Sequence, residues 1–304
     1  MNIRYLKNGE INYYRWDICI RNSFNSCIYG YTWYLNTVCD NWDALIEGDY
    51  EAVMPLPTIR RFGLQGIQTP SFTGSLGIFS GKLLNSDKVE TFFRSIPSRF
   101  VFIDLLINKF NRVSWGPSVV GQETHFELDL VKPYSKITPG YSNTLKEKIA
   151  GAKKQKLTFF KGIPPGDLLD LIKKKSGKSD ASRLSEEKIK TLRMLISTSL
   201  RYKIGELTGV YNAYNNLVAA AFFIWSENNA VLLFCCSSAD TVQEYVLFFL
   251  FDQFIQLHSN RFVTIIFDYS GSPGLKELYS HFGAIESRYQ QIKKIRLPLI
   301  SNFS

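Results

Sequence analysis

The stretch at residues 261–285 constrains the fold more than any other, because signals for a strand, a turn and a helix follow one another without a gap. Residues 263–267 form a short, apolar and mostly β-branched run, which is typical of a strand buried on both faces. Asp268 ends this run, and a Ser-Gly-Ser turn follows. Ser272 is a favourable N-cap, and Pro273 suits the first helical position, where a missing N–H costs nothing.

The predicted helix after this turn has one apolar face. Leu275, Leu278, Tyr279 and Phe282 recur at helical spacing. We therefore expect this face to pack back on the sheet. Gly283 stands where a left-handed C-terminal cap is wanted.

Polar side chains gather at the carboxyl end of the predicted strand. Asp268, Ser270 and Ser272 all follow it directly. In open α/β sheets, ligands usually bind at that end of the strands. We therefore expect a substrate near these residues. For Asp268, capping of the turn is an equally good interpretation.

Composition indicates a soluble globular protein. The chain has 304 residues and 45% apolar content, enough for about two domains. Its longest apolar runs, at residues 217–225 and 245–251, fall well short of the roughly 18 residues of a membrane span. The five cysteines show no Cys-x-x-Cys spacing, which favours a reducing compartment and argues against zinc. We predict a cytoplasmic protein without a metal site.

The histidines offer little chemistry at the level of sequence. His125, His258 and His281 are far apart, and no two of them have the spacing of a metal pair. No G-x-S-x-G or Walker pattern appears either. We expect each histidine to stand alone, with His281 as a surface or capping residue.

Positive charge is concentrated in one segment. Residues 141–203 contain 16 Lys and Arg against 6 Asp and Glu, a surplus of ten, whereas the whole chain has a net charge of +9. The remainder is therefore close to neutral. Such a segment favours an anionic partner, such as nucleic acid or a phosphorylated cofactor, although solvated helix faces explain the charge equally well.

The order of predicted elements indicates a mixed α/β sheet in two halves. Residues 43–68 read as an antiparallel meander in which Pro55 and Pro57 end the second strand, and residues 30–38 read as a transition into a strand. The second half reads as helix, strand, two helices, three strands, helix, strand, helix and strand. We place the division at residues 133–139, giving halves at 1–138 and 139–304, without a clear identity repeat between them.

Three groups of residues carry a resemblance to a known superfamily. The last predicted helix, with Tyr279 four residues before Gly283, resembles the final strand–helix unit of the GNAT N-acetyltransferase fold. The Phe-Asp-x-x-Gly-Ser turn at 267–272 resembles the branch that duplicates this fold, the FemAB-like aminoacyl- and acyltransferases. Residues 141–154 resemble the basic helix that opens the second half of that branch. The resemblance implies two tandem GNAT-like domains of mixed α+β structure, each with a largely antiparallel sheet flanked by helices.

The resemblance also implies a reaction. It predicts an enzyme that transfers an activated acyl or aminoacyl group to a primary amine in a cleft between the two halves, with acyl-coenzyme A or aminoacyl-tRNA as the donor. The carbonyl would be held by backbone N–H groups in a splayed sheet. Tyr279 would protonate the leaving group, and Asp268 would bind the amine or accept its proton. A Tyr279 that only packs on the sheet is the alternative.

The remaining candidates are substrate-binding residues. Ser270 and Ser272 lie in the turn, and Lys146, Lys153 and Lys154 lie on the basic helix, where they suit phosphate. From the first half of the chain, we expect the cleft to be lined by Trp33, Trp42 and the loop at 69–77.

One departure from the superfamily keeps a second class of function open. Its pyrophosphate loop has glycines before the helix, whereas residues 236–240 here read Cys-Ser-Ser-Ala-Asp. FemAB-like enzymes also lack the loop and take their acyl group from tRNA. The alternative is a catalytically silent binding protein that holds RNA or another anionic partner on its basic segment.

Overall fold

The computed structural model describes residues 2–113, 119–176, 184–238, 243–268 and 274–295. Contacts within the chain define two compact units: unit 1 is Met1–Thr124 with Arg288–Ser304, and unit 2 is His125–Ser287. The division predicted at residues 138 and 139 falls inside unit 2. The two borders of unit 2 instead lie within long strands, at 119–129 and 285–295.

Unit 1 begins with a strand and two helices, followed by a strand meander and a crossover helix. Its elements are β1 (Ile3–Leu6), α1 (Tyr13–Asn22), α2 (Thr32–Val38), β2 (Trp42–Glu47), β3 (Ala52–Arg61), β4 (Leu64–Gln68), β5 (Phe79–Ser80), α3 (Ser86–Arg94) and β6 (Phe102–Ile107). The chain then enters β7 (Val119–Asp129), which leads into unit 2.

Unit 2 repeats this plan after two introductory helices. Its elements are α4 (Tyr134–Ile137), α5 (Asn143–Lys153), β8 (Thr158–Lys161), α6 (Pro165–Ser176), α7 (Glu186–Arg201), β9 (Gly205–Tyr211), β10 (Leu217–Ser226), β11 (Asn229–Ser237), α8 (Gln243–His258), β12 (Thr264–Phe267) and α9 (Leu275–Ser280). The last strand, β13 (Ile285–Ile295), returns to unit 1.

Each unit contains one parallel strand pair in an otherwise antiparallel arrangement. The order is β1-β2-β3-β4-β6-β13 in unit 1, with β5 beside β3, and β7-β12-β11-β10-β9-β8 in unit 2. β4 pairs parallel with β6, and β11 pairs parallel with β12. Parallel neighbours need a crossover connection, which α3 and α8 provide. The predicted mixed sheets and the predicted element order of unit 2 are confirmed.

Both faces of the sheet in unit 2 are buried. On β10, Ala219, Ala221 and Phe223 belong to the core cluster formed with α5, α8 and α9. The alternate residues of β10 are also fully buried and face the layer of α6 and α7. Within the cluster, Phe223 and Phe254 stack with their ring centroids 3.8 Å apart, which joins α8 to the sheet.

The prediction of a transition into a strand at residues 30–38 is wrong. The segment is helix α2, and the Asp17 carboxylate of α1 accepts hydrogen bonds from the Thr32 N–H at 2.9 Å and the Thr32 hydroxyl at 2.8 Å. These bonds satisfy donors at the start of the helix, where none has a partner within it. The cap is fifteen residues away, so the local sequence does not reveal it.

Pro55 and Pro57 do not end the second strand, as the sequence suggested. β3 continues through both of them to Arg61. Pro55 stands opposite Ala44 and Pro57 opposite Trp42 of β2, whereas β4 pairs with β3 only from Thr58 onwards. Beside both prolines the described pairing is therefore one-sided, and a strand tolerates proline when its missing N–H faces the open side.

The predicted left-handed cap at Gly283 is confirmed, since its φ is +72°. A Cβ atom at Gly283 would lie 2.9 Å from the carbonyl oxygen of Gly140. This position therefore excludes a side chain twice, by backbone conformation and by close contact. The contact holds the end of α9 against the segment that leads into α5.

We expect Gly283→Ala to destabilise the protein by at least about 1–2 kcal/mol, the cost of a left-handed backbone, with a further loss from the contact. Urea denaturation measures the effect. Gly63→Ala is the matched control for backbone strain alone, because Gly63 has a φ of +79° and open space around it. Gly140→Ala is a second control without backbone strain, because Gly140 has open space around its Cβ position and no positive φ. A Gly283→Ala loss no larger than that of Gly63→Ala would contradict the close contact.

Candidate functional site

Asp268 follows β12 directly, and its side chain is buried against His125. Phe267 stands opposite Phe126 in the pairing of β12 with β7, so Asp268 and His125 are the next neighbours across these strands. The Oδ1 atom of Asp268 lies 2.6 Å from the Nδ1 atom of His125, and only 4% and 7% of the two side chains are exposed. The expectation that His125 stands alone is therefore wrong, because strand pairing joins residues far apart in the sequence.

The contact defines the hydrogen bond that each form of the pair can make. A carboxylate only accepts hydrogen bonds, so a neutral His125 that donates from Nδ1 to Asp268 has its lone pair on Nε2. An imidazole in this tautomer can accept a proton from a substrate amine.

Tyr279 lies in an aromatic cluster. Its side chain is 1% exposed, and its ring stacks on Phe267 with the centroids 4.5 Å apart. Phe251 of α8 meets the same ring edge-on at 5.9 Å, and Phe126 of β7 lies at 6.3 Å. The prediction that this helix, α9, packs on the sheet is therefore confirmed.

The predicted acid and the predicted base lie on opposite faces of β12. Successive side chains of a strand point to opposite faces. Phe126 points towards Tyr279, so its neighbour His125 points the other way and takes Asp268 with it. By this alternation, Tyr279 and Asp268 lie on opposite sides of the strand.

The pairing of β11 with β12 next to Asp268 is short. It covers three residues, from Asn229 with Thr264 to Val231 with Ile266. Phe267, the last residue of β12, is paired with Phe126 of β7, whereas β11 continues to Ser237 against β10. The pairing of β11 with β12 therefore ends after Ile266, one residue before β12 itself ends. We name the region between β11 and β12 beyond this last pair the opening.

A β-bulge lies at the start of the opening. The register of β10 with β11 passes from Phe222 opposite Phe234 to Phe223 opposite Leu232, so Leu233 is inserted. A bulge interrupts the ladder of hydrogen bonds and occurs frequently next to active sites. Backbone N–H groups released in this way can stabilise negative charge on a carbonyl oxygen.

The predicted basic residues Lys146, Lys153 and Lys154 are exposed on α5. Leu145, Ile149 and Ala152 of the same helix are buried in the core cluster that contains Tyr279. The three lysines therefore lie on the outer surface of the layer that covers the Tyr279 face of the sheet.

The two predicted tryptophans differ. Trp42 is 1% exposed, its indole N–H donates to Asn36 at 2.8 Å, and its ring packs against Trp16 at 5.0 Å. It is a core residue of unit 1. Trp33 is half-buried on α2, with its ring 5.4 Å from Tyr34.

Several predicted positions lie outside the described residues. Ser270, Ser272, Pro273 and Asp240 belong to this group. The described helix α9 begins at Leu275 with Gly274 as its N-cap, rather than at Pro273. Within the described ranges, no group of three or more His, Cys, Asp and Glu residues is arranged to hold a metal ion. In the same part of the chain, no helix has the length and hydropathy required to cross a bilayer.

Comparison with solved structures identifies the fold of this chain. No protein-family model matches this chain, and no curated protein matches it. A crystal structure of FemX superposes with a TM-score of 0.63 at 11% identity, covering 96% of this chain and 97% of that chain. L-PGS from Bacillus licheniformis gives 0.55 at 10% identity, covering 92% and 90%. A tandem GNAT protein from the clavulanic acid biosynthesis pathway gives 0.53 at 11% identity, covering 98% and 99%.

The chain has the tandem GNAT-like fold of the FemAB type. The predicted resemblance is confirmed at this level. The tandem GNAT-like fold also explains why the two units repeat one element order, with a parallel pair closed by a crossover helix in each.

We expect His125 and Asp268 to be coupled energetically. Asp268→Asn and His125→Gln should each lower the free energy of unfolding by about 1.5–3 kcal/mol, because each removes one partner of a buried charge-assisted hydrogen bond. The double variant should cost less than the sum by about 1 kcal/mol or more in urea denaturation.

Asp49→Asn is the matched control, since Asp49 pairs with Arg15 on the surface, where the two side chains are 73% and 53% exposed. It should cost less than about 1 kcal/mol. Strict additivity of the His125 and Asp268 variants would contradict the pairing.

Proposed function

We propose that the protein is an N-acyltransferase that moves an activated acyl group to a primary amine at the opening between β11 and β12. The observation that carries this proposal is the end of the β11–β12 pairing after Ile266, beside the bulge at Leu233. The His125–Asp268 pair on one face of β12 and Tyr279 on the other support it. A carbonyl in the opening would have a proton acceptor on one side and a proton donor on the other.

The reaction follows from this arrangement. The donor's carbonyl oxygen accepts hydrogen bonds from backbone N–H groups of the bulged segment of β11. The amine attacks from the Asp268 face, and Nε2 of His125 accepts its proton as the C–N bond forms. The bond from the carbonyl carbon to the leaving sulfur or oxygen then breaks, and the Tyr279 hydroxyl gives that atom its proton. Asp268 keeps the imidazole of His125 in the required tautomer.

The substrates remain at the level of class. The donor is an acyl-coenzyme A thioester or an aminoacyl-tRNA, and both carry phosphates. Lys146, Lys153 and Lys154 are proposed to contact those phosphates, because all three are exposed on one helix. Ser270 and Ser272 are proposed to bind the acceptor amine near Asp268. Of the two tryptophans, the half-buried Trp33 is the better candidate for acceptor binding, since Trp42 is enclosed.

A two-step experiment tests the proposal. Thermal stability is first measured with acyl-coenzyme A thioesters, free coenzyme A and aminoacyl-tRNA, because a ligand at about 100 times its Kd stabilises the fold by roughly 2.7 kcal/mol. The stabilising donor is then incubated with hydroxylamine as a surrogate amine, and the acylated product is measured. Tyr279→Phe should slow transfer by about 100-fold or more, the usual contribution of a general acid.

Tyr211→Phe is the matched control for this change. Its hydroxyl donates to Asp167 at 2.8 Å, on a different strand of the same unit, and its loss should leave the transfer rate unchanged. Equal rates for Tyr279→Phe and the unaltered protein would remove Tyr279 from the chemistry. No stabilisation by any donor and no transfer would remove the enzymatic proposal.

RNA binding without catalysis is the competing proposal, and the exposed lysines of α5 favour it. Replacing Lys146, Lys153 and Lys154 together by Gln should weaken tRNA binding and reduce the slope of log K against log salt by about 2, since each phosphate contact contributes roughly 0.7–0.9. A matched triple variant at the exposed Lys7, Arg60 and Lys82 of unit 1 should leave the slope unchanged. Equal slopes in both variants would exclude α5 as the contact surface.

A further inference from the structure

Unit 2 contains a surface pocket of about 620 Å³ that plays no part in the proposed transfer. Residues at the end of β8, the start of β9, the end of β10 and the end of α8 line it. Arg261, which also lines it, stands three residues before β12 begins. The pocket therefore lies at the amino-terminal end of β12, whereas Asp268 lies at the carboxyl end.

The inner wall of the pocket is a buried carboxylate with all of its oxygens engaged. Glu206 is 7% exposed, and its Oε1 accepts from the His258 Nε2–H at 2.9 Å. Its Oε2 accepts from the Trp225 indole N–H at 3.1 Å and lies 3.1 Å from the Lys161 ammonium. Burial by itself raises the pKa of Glu206, but the hydrogen bonds and charges of His258 and Lys161 hold it below its usual range. Glu206 is therefore ionised at neutral pH and fully satisfied.

The carboxylate of this network does not neutralise the other two cations of the pocket, Lys203 and Arg261. Lys161 neutralises Glu206, whereas Lys203 and Arg261 have no carboxylate within ion-pair distance in the described part of the chain. Both are exposed and line the pocket. Arg261 touches the network only through the His258 Nδ1 atom, 3.4 Å from one of its guanidinium nitrogens.

The rest of the lining is apolar. The contributing side chains are Ile163, Pro164, Pro165, Leu200, Leu207 and Trp225. The pocket therefore combines an apolar wall with a surplus of positive charge. Its volume is in the range of small-molecule sites, which have predominantly apolar linings and a few fixed polar groups.

Unit 1 provides an internal comparison at the same place in its fold. Asp43 stands near the start of β2 as Glu206 does in β9, and Arg99 precedes β6 as Arg261 precedes β12. Both arginines begin an Arg-Phe-Val sequence. In unit 1, however, Arg99 lies 3.9 Å from Asp43 and 4.4 Å above the Tyr5 ring, so its charge is used internally.

The difference between the units explains why Arg261 is available. In unit 2, the charge of the Glu206 carboxylate is paired with His258 and Lys161, whereas in unit 1 the charge of Asp43 is paired with Arg99. The duplicated position thus holds an internal ion pair in unit 1 and an unneutralised cation beside an apolar pocket in unit 2.

We propose that this pocket binds a small organic anion, whose carboxylate or phosphate group is held by Lys203 and Arg261 while its apolar body lies against Trp225 and Leu200. Guanidinium groups bind both anions through paired hydrogen bonds, so the chemistry is shared by the two sources. The site is independent of the transfer reaction and makes no use of Asp268 or Tyr279.

Isothermal titration at low salt tests this proposal on the full chain. The probes are 4-phenylbutyrate and phenyl phosphate, with uncharged 4-phenylbutanol as the comparison. We expect the anions to bind at least about 10-fold more tightly than the alcohol, since hydrogen bonds to charged groups supply that much. The preferred anion distinguishes a carboxylate ligand from a phosphate ligand. Arg261→Gln and Lys203→Gln should each weaken anion binding about 10-fold or more and leave the alcohol unaffected.

Two controls make the outcome decisive. Lys173→Gln removes an exposed lysine of α6 that pairs with Asp170, outside the pocket, and should not change affinity. In the nuclear magnetic resonance spectrum, the indole N–H that disappears in Trp225→Phe should shift on binding, whereas that of the enclosed Trp42 should not. Equal affinity for the alcohol and the anions, affinity unaffected by Arg261→Gln and Lys203→Gln, or no binding at millimolar concentrations would each overturn the proposal.

Discussion

The parallel contact of β11 with β12 lasts for three residues, and the surroundings of Asp268 in unit 2 depend on that limit. A parallel neighbour requires a crossover, and α8 supplies it by packing Phe254 on Phe223 and Phe251 on Phe267. These rings attach α8 to β10 and to the carboxyl end of β12. β12 is also paired with β7 along its whole length, and β11 has the bulge at Leu233 just beyond its last pair with β12. Both strands therefore stay hydrogen-bonded to their other neighbours where their own pairing ends.

Two groups of polar residues lie at opposite ends of β12. Asp268 at its carboxyl end is buried with His125, and Arg261 before its amino end reaches the network of Glu206 and His258. In both places a buried carboxylate is held by an imidazole, and a buried charge is tolerable only when it is paired in this way. The two networks differ in what surrounds them: one borders the opening of the sheet, and the other forms the wall of a surface pocket.

The duplication of the fold is clearer in the structure than in the sequence. A strand, two helices, a meander, a crossover helix and a parallel strand occur in the same order in both units. Arg-Phe-Val before β6 and before β12 is an identity repeat that sequence reasoning missed, because three shared residues in two long halves do not stand out until the elements are aligned. The partners of the two arginines have diverged: Arg99 has a carboxylate partner in unit 1, whereas among the described residues Arg261 has only the His258 imidazole.

The sequence by itself determined the features that depend on neighbouring residues. Ser185 caps α7 as predicted, α3 spans Ser86–Arg94 as predicted, and Gly283 has the left-handed backbone that its position required. Periodicity and caps act within one or two turns, so one chain segment contains the whole signal. The order of elements along the second half of the chain followed from the same local patterns.

Only the tertiary structure decided which distant side chains meet. Asp17 caps α2 from fifteen residues away. Each histidine also has a distant partner: His125 pairs with Asp268, His258 with Glu206 and His281 with Ser142. No local sequence pattern connects these residues. The placement of Tyr279 and Asp268 on opposite faces of β12 has the same origin, because the face of a residue after a strand end is set by its cross-strand partner. Sequence periodicity identifies a strand and its buried side chains, whereas strand pairing determines the contacts that create a site.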